Sequence, residues 1–140
     1  MDSVPAEAAL QQPEEDRGVA LARQRILVVD DDPELRAALV EALEAEGFTV
    51  DEAEDGIQAL ERIADAGPDV LLVDYGLPRL AGDELVRRLR ALGVNAPVVL
   101  VTAADRAREV AEAMGVERWV GKPVSLRELL AQVRRAASEA

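Results

Sequence analysis

Cysteine and histidine are both absent from the 140 residues. Disulfides, thiol catalysis and thiolate metal sites are therefore excluded together, and any metal must be held by oxygen. Aromatic side chains are almost missing too, with one Phe, one Trp and one Tyr in a chain that is 49% hydrophobic. The core must be built from Val, Leu, Ile and Ala, a composition that suits helices packed on a sheet. No apolar run approaches the ~18 residues needed to cross a bilayer. The N-terminus lacks the basic-then-apolar pattern of a secretory signal, so the chain is expected in the cytoplasm, away from membranes. A clustered basic surface is missing as well. The formal charge is −12 and the Lys and Arg residues are scattered among acids, which argues against a nucleic-acid interface. The length suits one compact domain.

What is present is an alternation. Residues 1–24 mix Ala, Gln, Pro and acids without sustained periodicity and read as a flexible leader, with a short helix near 17–24 as an alternative. From Arg25 onward the segments ILVV, FTV, DVLLV, VVLV and WV read as strands, each followed by an amphipathic stretch. Asp32 is placed to cap the first helix with Pro33 at its first position. Its apolar face is Leu35, Ala38, Leu39, Ala42 and Leu43, and Gly47 stops it. Gly67, Gly93 and Gly115 are expected to end the next three helices. Ser125 and Glu128 open the last one as a capping box, before Leu129, Leu130 and Val133. The runs at 26–29, 70–73 and 98–101 are continuously apolar, as strands covered on both faces are, whereas FTVDEA alternates like an edge strand. The expectation is an open parallel α/β sheet whose strand-to-helix turns all lie along one rim, where ligands bind in such folds.

The residues ending the apolar runs meet on that rim: Asp30, Asp31 and Asp32, then Asp74, Thr102 and Lys122. Two carboxylates about 4 Å apart repel by roughly 4 kcal/mol at an effective dielectric near 20, so three in one cleft call for a cation. Mg2+ suits best, because it takes a few carboxylate oxygens, keeps several waters and leaves positions open for a phosphoryl oxygen. A lysine and a threonine hydroxyl could hold two further phosphoryl oxygens, which points to phosphoryl transfer onto a carboxylate. Each residue alone has a plainer explanation. Asp32 before Pro33 reads better as a helix cap than as a ligand, Thr102 could cap a helix, and Lys122 could be loop charge. Capping cannot explain both Asp30 and Asp31, and the joint placement favours function.

The blocks ILVVDDDPELR, DVLLVDYGLPRLAGDEL, VVLVTAAD and WVGKP, in this order and spacing, resemble the signature segments of response-regulator receiver domains of two-component signalling. The resemblance spans residues 25–140. It implies a flavodoxin-like (βα)5 fold, a doubly wound sheet of five parallel strands in the order 2-1-3-4-5. It also implies that Asp74 is the phosphoacceptor, that Asp30, Asp31, Asp74 and the Gly76 carbonyl hold Mg2+, and that Lys122 binds the phosphate. Thr102 would be the switch hydroxyl and Trp119 the switch aromatic, the Lys122–Pro123 bond would be cis, and the backbone N–H groups of Tyr75 and Ala103 would complete the phosphate cradle. Partners implied are a sensor histidine kinase or a histidine phosphotransfer protein as donor, and a downstream protein target reached through the surface of the fourth helix, fifth strand and fifth helix. The chain would be a monomer or weak dimer that catalyses its own phosphorylation and dephosphorylation without turning over a separate substrate. No output domain is expected after the last helix, so the chain either acts alone or is a piece of a longer one.

Several positions depart from that pattern. The switch aromatic is usually Tyr or Phe; Trp119 is larger and donor-only, and could instead be an edge-strand core residue. The stretch between Thr102 and Gly115 looks about two residues short of many family members. Gly76 and Ala104, each two positions beyond a key residue, are both small, which predicts easy water access and a short-lived acyl phosphate. Two rivals remain. A haloacid-dehalogenase-like phosphatase would use Asp30 and Asp32 as its DxD, but beyond Lys122 the only acids are Glu128 and Glu139, not the acidic pair that chemistry needs. A degenerate receiver serving only as an interaction module should have broken chemistry residues, and none is broken here.

Overall fold

The computed structural model describes residues 24–103 and 105–140. The proposed leader up to residue 23, the alternative helix near 17–24 and the reading of Ala104 lie outside the described residues. Five strands, β1 (Arg25–Val29), β2 (Thr49–Ala53), β3 (Val70–Asp74), β4 (Val98–Ala103) and β5 (Arg118–Lys122), form one sheet. All pairings are parallel and the order is β2-β1-β3-β4-β5. The helices α1 (Pro33–Ala45), α2 (Gly56–Asp65), α3 (Gly82–Ala91), α4 (Ala107–Met114) and α5 (Leu126–Glu139) alternate with them.

Both faces of the sheet are covered, which is why its three central strands are apolar without alternation. On one face Ile26, Val28, Leu72 and Val99 pack beneath Leu39 and Leu43 of α1 and Leu129 and Val133 of α5. On the other, Leu27, Leu71, Val73 and Leu100 pack against Ala59 of α2, Leu85 and Leu89 of α3 and Val110 of α4. Successive residues of a strand point to opposite faces, so each strand feeds both layers. Burying one such aliphatic side chain is worth about 1.5–3 kcal/mol.

The local stops explain where the chain reverses. The Asp32 carboxylate accepts from the N–H groups of Glu34 and Leu35, with Pro33 opening α1, as the sequence predicts. Ala38 is exposed, so the buried stripe of α1 is narrower than its apolar pattern suggests. Ser125 Oγ accepts from the Glu128 N–H at 3.3 Å and starts α5. Gly47, Gly93 and Gly115 have φ of 99°, 87° and 72°, the left-handed values that close α1, α3 and α4. Gly67 does not: α2 ends one residue earlier, on an extended Ala66, and no left-handed residue is needed there.

Candidate functional site

Three strand ends build the site. Asp30 follows β1, Asp74 is the last residue of β3, and Lys122 is the last of β5. The parallel register holds these ends side by side: Val29 pairs with Val73, Asp74 with Val101, and Ala103 with Lys122. Carboxylate oxygens of Asp30, Asp31 and Asp74 all lie within 4.8 Å of one another. Asp30 and Asp74 are buried, at 1% and 6% exposure, while Asp31 faces solvent. Lys122 Nζ lies 3.3 Å from Asp74 Oδ2. Thr102 is buried in β4, and the N-cap of α4 is Arg106, so Thr102 does not serve as that cap. The Lys122–Pro123 bond is cis.

Burial and neighbouring charge set the electrostatics of this cleft. Burial pushes the Asp30 carboxyl above its ordinary value, the Asp32 N–H pulls it back, and the Asp74 and Asp31 charges add to the rise while Lys122 opposes it. Asp30 is also held mechanically. Its Oδ1 accepts from the Asp32 N–H at 2.8 Å, its N–H donates to Ala53 O at 3.1 Å, and its carbonyl accepts from the Arg36 guanidinium at 2.7 Å. Arg36 in turn reaches Glu52 of β2 at 3.1 Å. Sequence reasoning did not single out Arg36; its position on the first turn of α1, below the acidic run, was the available signal.

One expectation about the cradle is corrected. The Tyr75 N–H donates to Val101 O at 3.0 Å, continuing the β3–β4 ladder, and is not free for a ligand. Leu71 donates likewise to Pro97 O, so the alternation of a parallel strand turns the N–H groups of 71 and 75 toward β4. The next N–H, that of Gly76, faces the Asp74 carboxylate with a distance of 3.4 Å to Oδ1. The period of two was the signal that could have made this choice. Ala103 ends β4 beside Lys122 and is exposed. Trp119 is half-buried in β5 opposite Leu100 and packs on the same side of the sheet as Leu100, the side to which Thr102 also points by alternation. It thus lies in the edge-strand core, on the face of the sheet that it shares with Thr102. α4, at 8 residues, is the shortest of the helices described.

Asp32 does not join the acidic group. It is exposed and its carboxylate is engaged as the α1 cap, so a DxD pair of Asp30 and Asp32 is not formed.

A parallel five-stranded sheet in this order, with acids, a threonine and a lysine at the carboxyl ends of its strands, defines a doubly wound α/β domain whose polar cluster lies on the rim where such folds bind ligands. Comparison with known proteins agrees and narrows it: the family described as response regulator receiver domain matches residues 26–134. The chain belongs to that family and hence to two-component signalling. It is 44% identical over 112 residues to the response regulator MprA of Mycobacterium ulcerans (strain Agy99), covering 79% of this chain and 48% of that protein. It is 42% identical to the Mycobacterium avium (strain 104) protein of the same name, covering 79% and 49%. The chain thus spans about half the length of the curated relatives it matches. Among solved structures, the receiver domain of the Francisella response regulator 1452 is similar at a TM-score of 0.76 and 30% identity, over 83% of this chain and 98% of that one. The chemotaxis response regulator CheY4 of Vibrio cholerae is similar at 0.73 and 28%, over 81% and 98%.

Proposed function

We propose that this domain, residues 25–140 behind a leader of residues 1–24, is a phosphoaspartate switch that accepts a phosphoryl group on Asp74 in a Mg2+-dependent reaction. The observation that carries this reading is the meeting of Lys122 Nζ with Asp74 Oδ2, at 3.3 Å, where oxygens of Asp30, Asp31 and Asp74 gather within 4.8 Å of one another. The donor set fits a hard divalent ion: oxygen ligands only, one carboxylate exposed, two buried. Asp30, Asp31, Asp74 and the Gly76 carbonyl would hold Mg2+, which when bound neutralises charge on the transferring phosphoryl oxygens.

The chain's own groups do the rest. A carboxylate oxygen of Asp74 attacks the phosphorus of a phosphohistidine on a sensor kinase or histidine phosphotransfer protein; the P–N bond breaks, the P–O bond forms, and the imidazole leaves with the electron pair and takes up a proton. Lys122 neutralises one phosphoryl oxygen, the N–H groups of Gly76 and Ala103 donate to others, and the Thr102 hydroxyl donates to one of them. Water later attacks the phosphorus, releasing inorganic phosphate and restoring the carboxylate, so no separate substrate is turned over. Movement of Thr102 toward the phosphoryl group frees space on the face that Trp119 shares. The α4–β5–α5 surface then shifts within a pre-existing equilibrium toward a form that engages a downstream protein. The domain acts in the cytoplasm as a monomer or weak dimer. Among the described residues no helix is long and apolar enough to cross a membrane.

Acetyl phosphate with Mg2+ is the direct test. Intact mass should rise by one phosphoryl group in the wild type and stay unchanged in Asp74→Asn, and Trp119 fluorescence should respond to beryllofluoride only with the metal present. Absence of an adduct in the wild type would overturn the reading. Gly76 is exposed and a Cβ built on it meets nothing within 4 Å, consistent with open access for water. Gly76→Asn should therefore lengthen the half-life of phospho-Asp74, measured after donor removal.

A further inference from the structure

The loop between β3 and α3 carries an outlier. Arg79 has φ of 66°, the only positive value at a non-glycine position among the described residues. The Leu80 N–H closes on Pro78 O at 2.6 Å, making Arg79 the centre of a tight three-residue turn of the hand that L-residues disfavour. Such a conformation persists only where the surroundings over-determine it. Here they do. The Arg79 guanidinium forks onto Asp55, Nε to Oδ2 and a terminal nitrogen to Oδ1, both at 2.9 Å. Asp55 is 6% exposed and is itself fastened as the N-cap of α2, accepting from the Gln58 N–H at 2.8 Å. Beside it, a Cβ on Gly56 would lie 2.5 Å from Leu80 O, so the missing side chain is what lets the turn sit against α2. Leu77 and Leu80 are buried in the core beneath.

The two ends of this loop are fastened elsewhere: the Tyr75 N–H on Val101 O, and the Gly82 N–H on Tyr75 O at 3.1 Å. The span from Gly76 to Arg79 has no such ladder bond, and besides the buried Leu77 side chain its hold is the fork onto Asp55. We propose that Asp55 and Arg79 act as a positioning pair, fixing the β3–α3 loop on α2 so that the Gly76 carbonyl and N–H stay aimed at the space beside Asp74. The inference rests on the reading of Gly76 as a ligand given above. Neither member touches the reacting atoms; they act through Gly76, as outer hydrogen bonds orient metal ligands in general.

Arg79→Gly is the decisive variant, because glycine accepts the turn's backbone without strain while removing the fork. Simple electrostatics predicts that losing a cation near an acidic cleft strengthens Mg2+ binding. The positioning role predicts the opposite, a weakening of about tenfold read by titrating Trp119 fluorescence with MgCl2 alone. In the metal-free protein, hydrogen exchange of the peptide covering residues 75–81 should quicken while that of the strand peptides holds. Arg87→Ala, which removes an exposed arginine paired with Glu84 on α3, is the charge control and should change neither. Wild-type affinity with unchanged exchange in Arg79→Gly would overturn the proposal, as would an affinity loss with exchange quickened evenly across the strands as well as the loop. A wild type that binds no Mg2+ would instead overturn the metal reading itself, and this inference with it.

Discussion

Asp30 sits at the deepest point of the cleft, 1% exposed, with a carboxyl pushed upward by burial and by the charges of Asp74 and Asp31. A group held ionised against its surroundings costs stability, so Asp30→Asn should stabilise the metal-free domain at neutral pH. The amide oxygen still accepts from the Asp32 N–H. Denaturant unfolding without metal should show the gain, and adding Mg2+ should raise the wild-type midpoint but not the variant's. Asp55 is the opposite case. Hydrogen bonding from Arg79, then from the Gln58 N–H, holds its carboxyl below the ordinary range. Its folded value lies below the unfolded one near ~3.9, so its stabilisation is complete above about pH 4 and is lost as the pH falls through the lower folded value. Asp55→Asn keeps a capping side chain but loses this contribution. The gap in urea midpoint between wild type and Asp55→Asn should be full at pH 7 and should close as the pH drops below about 4. Of these residues, Asp30, Asp31, Asp74 and Lys122 were legible in the sequence because each ends an apolar run. Arg36 and Arg79 were not, since an arginine on a helix or in a turn looks the same whether it holds a backbone carbonyl or only solvent.

At the scale of elements, the start of α3 is a tight joint directly behind Asp74. A Cβ on Gly82 would lie 2.8 Å from Asp74 O and 3.1 Å from the Tyr75 Cα, both backbone atoms with nowhere to go. Gly82→Ala should lose about 1–3 kcal/mol in denaturant unfolding. Because the displaced atoms are the end of β3, the same variant should acquire the phosphoryl adduct at Asp74 more slowly, read by intact mass over time. Helix existence and order were legible because caps and stops lie where the apolar period changes: Asp32 and Pro33, Gly93, Gly115, Ser125. The end of α2 was less so. Gly67 looked like a stop, but the chain leaves the helix on an extended Ala66, and an extended exit needs no glycine.

For the molecule as a whole, the gathering of like charges is a cost that a bound divalent ion would relieve. The formal charge is −12, and the carboxylates of one cleft are among its closest repulsions. Mg2+ at 100 times its dissociation constant should stabilise the fold by about 2.7 kcal/mol. The thermal midpoint should rise with MgCl2 well beyond the rise produced by NaCl at the same ionic strength. Equal shifts would mean screening alone. What the sequence by itself determined is the list of layers and the chemistry at the strand ends: apolar runs of strand length, covered twice, each closing on an acid, a hydroxyl or an amine, because hydrophobic periodicity and local capping are short-range matters. What only the tertiary structure decided is which backbone N–H faces the cleft, that Asp32 caps while Asp30 and Asp31 converge with Asp74, and that Arg79 reaches across to Asp55. Those depend on register and on the close approach of segments far apart in the chain, and nothing in the order of residues states a distance between them.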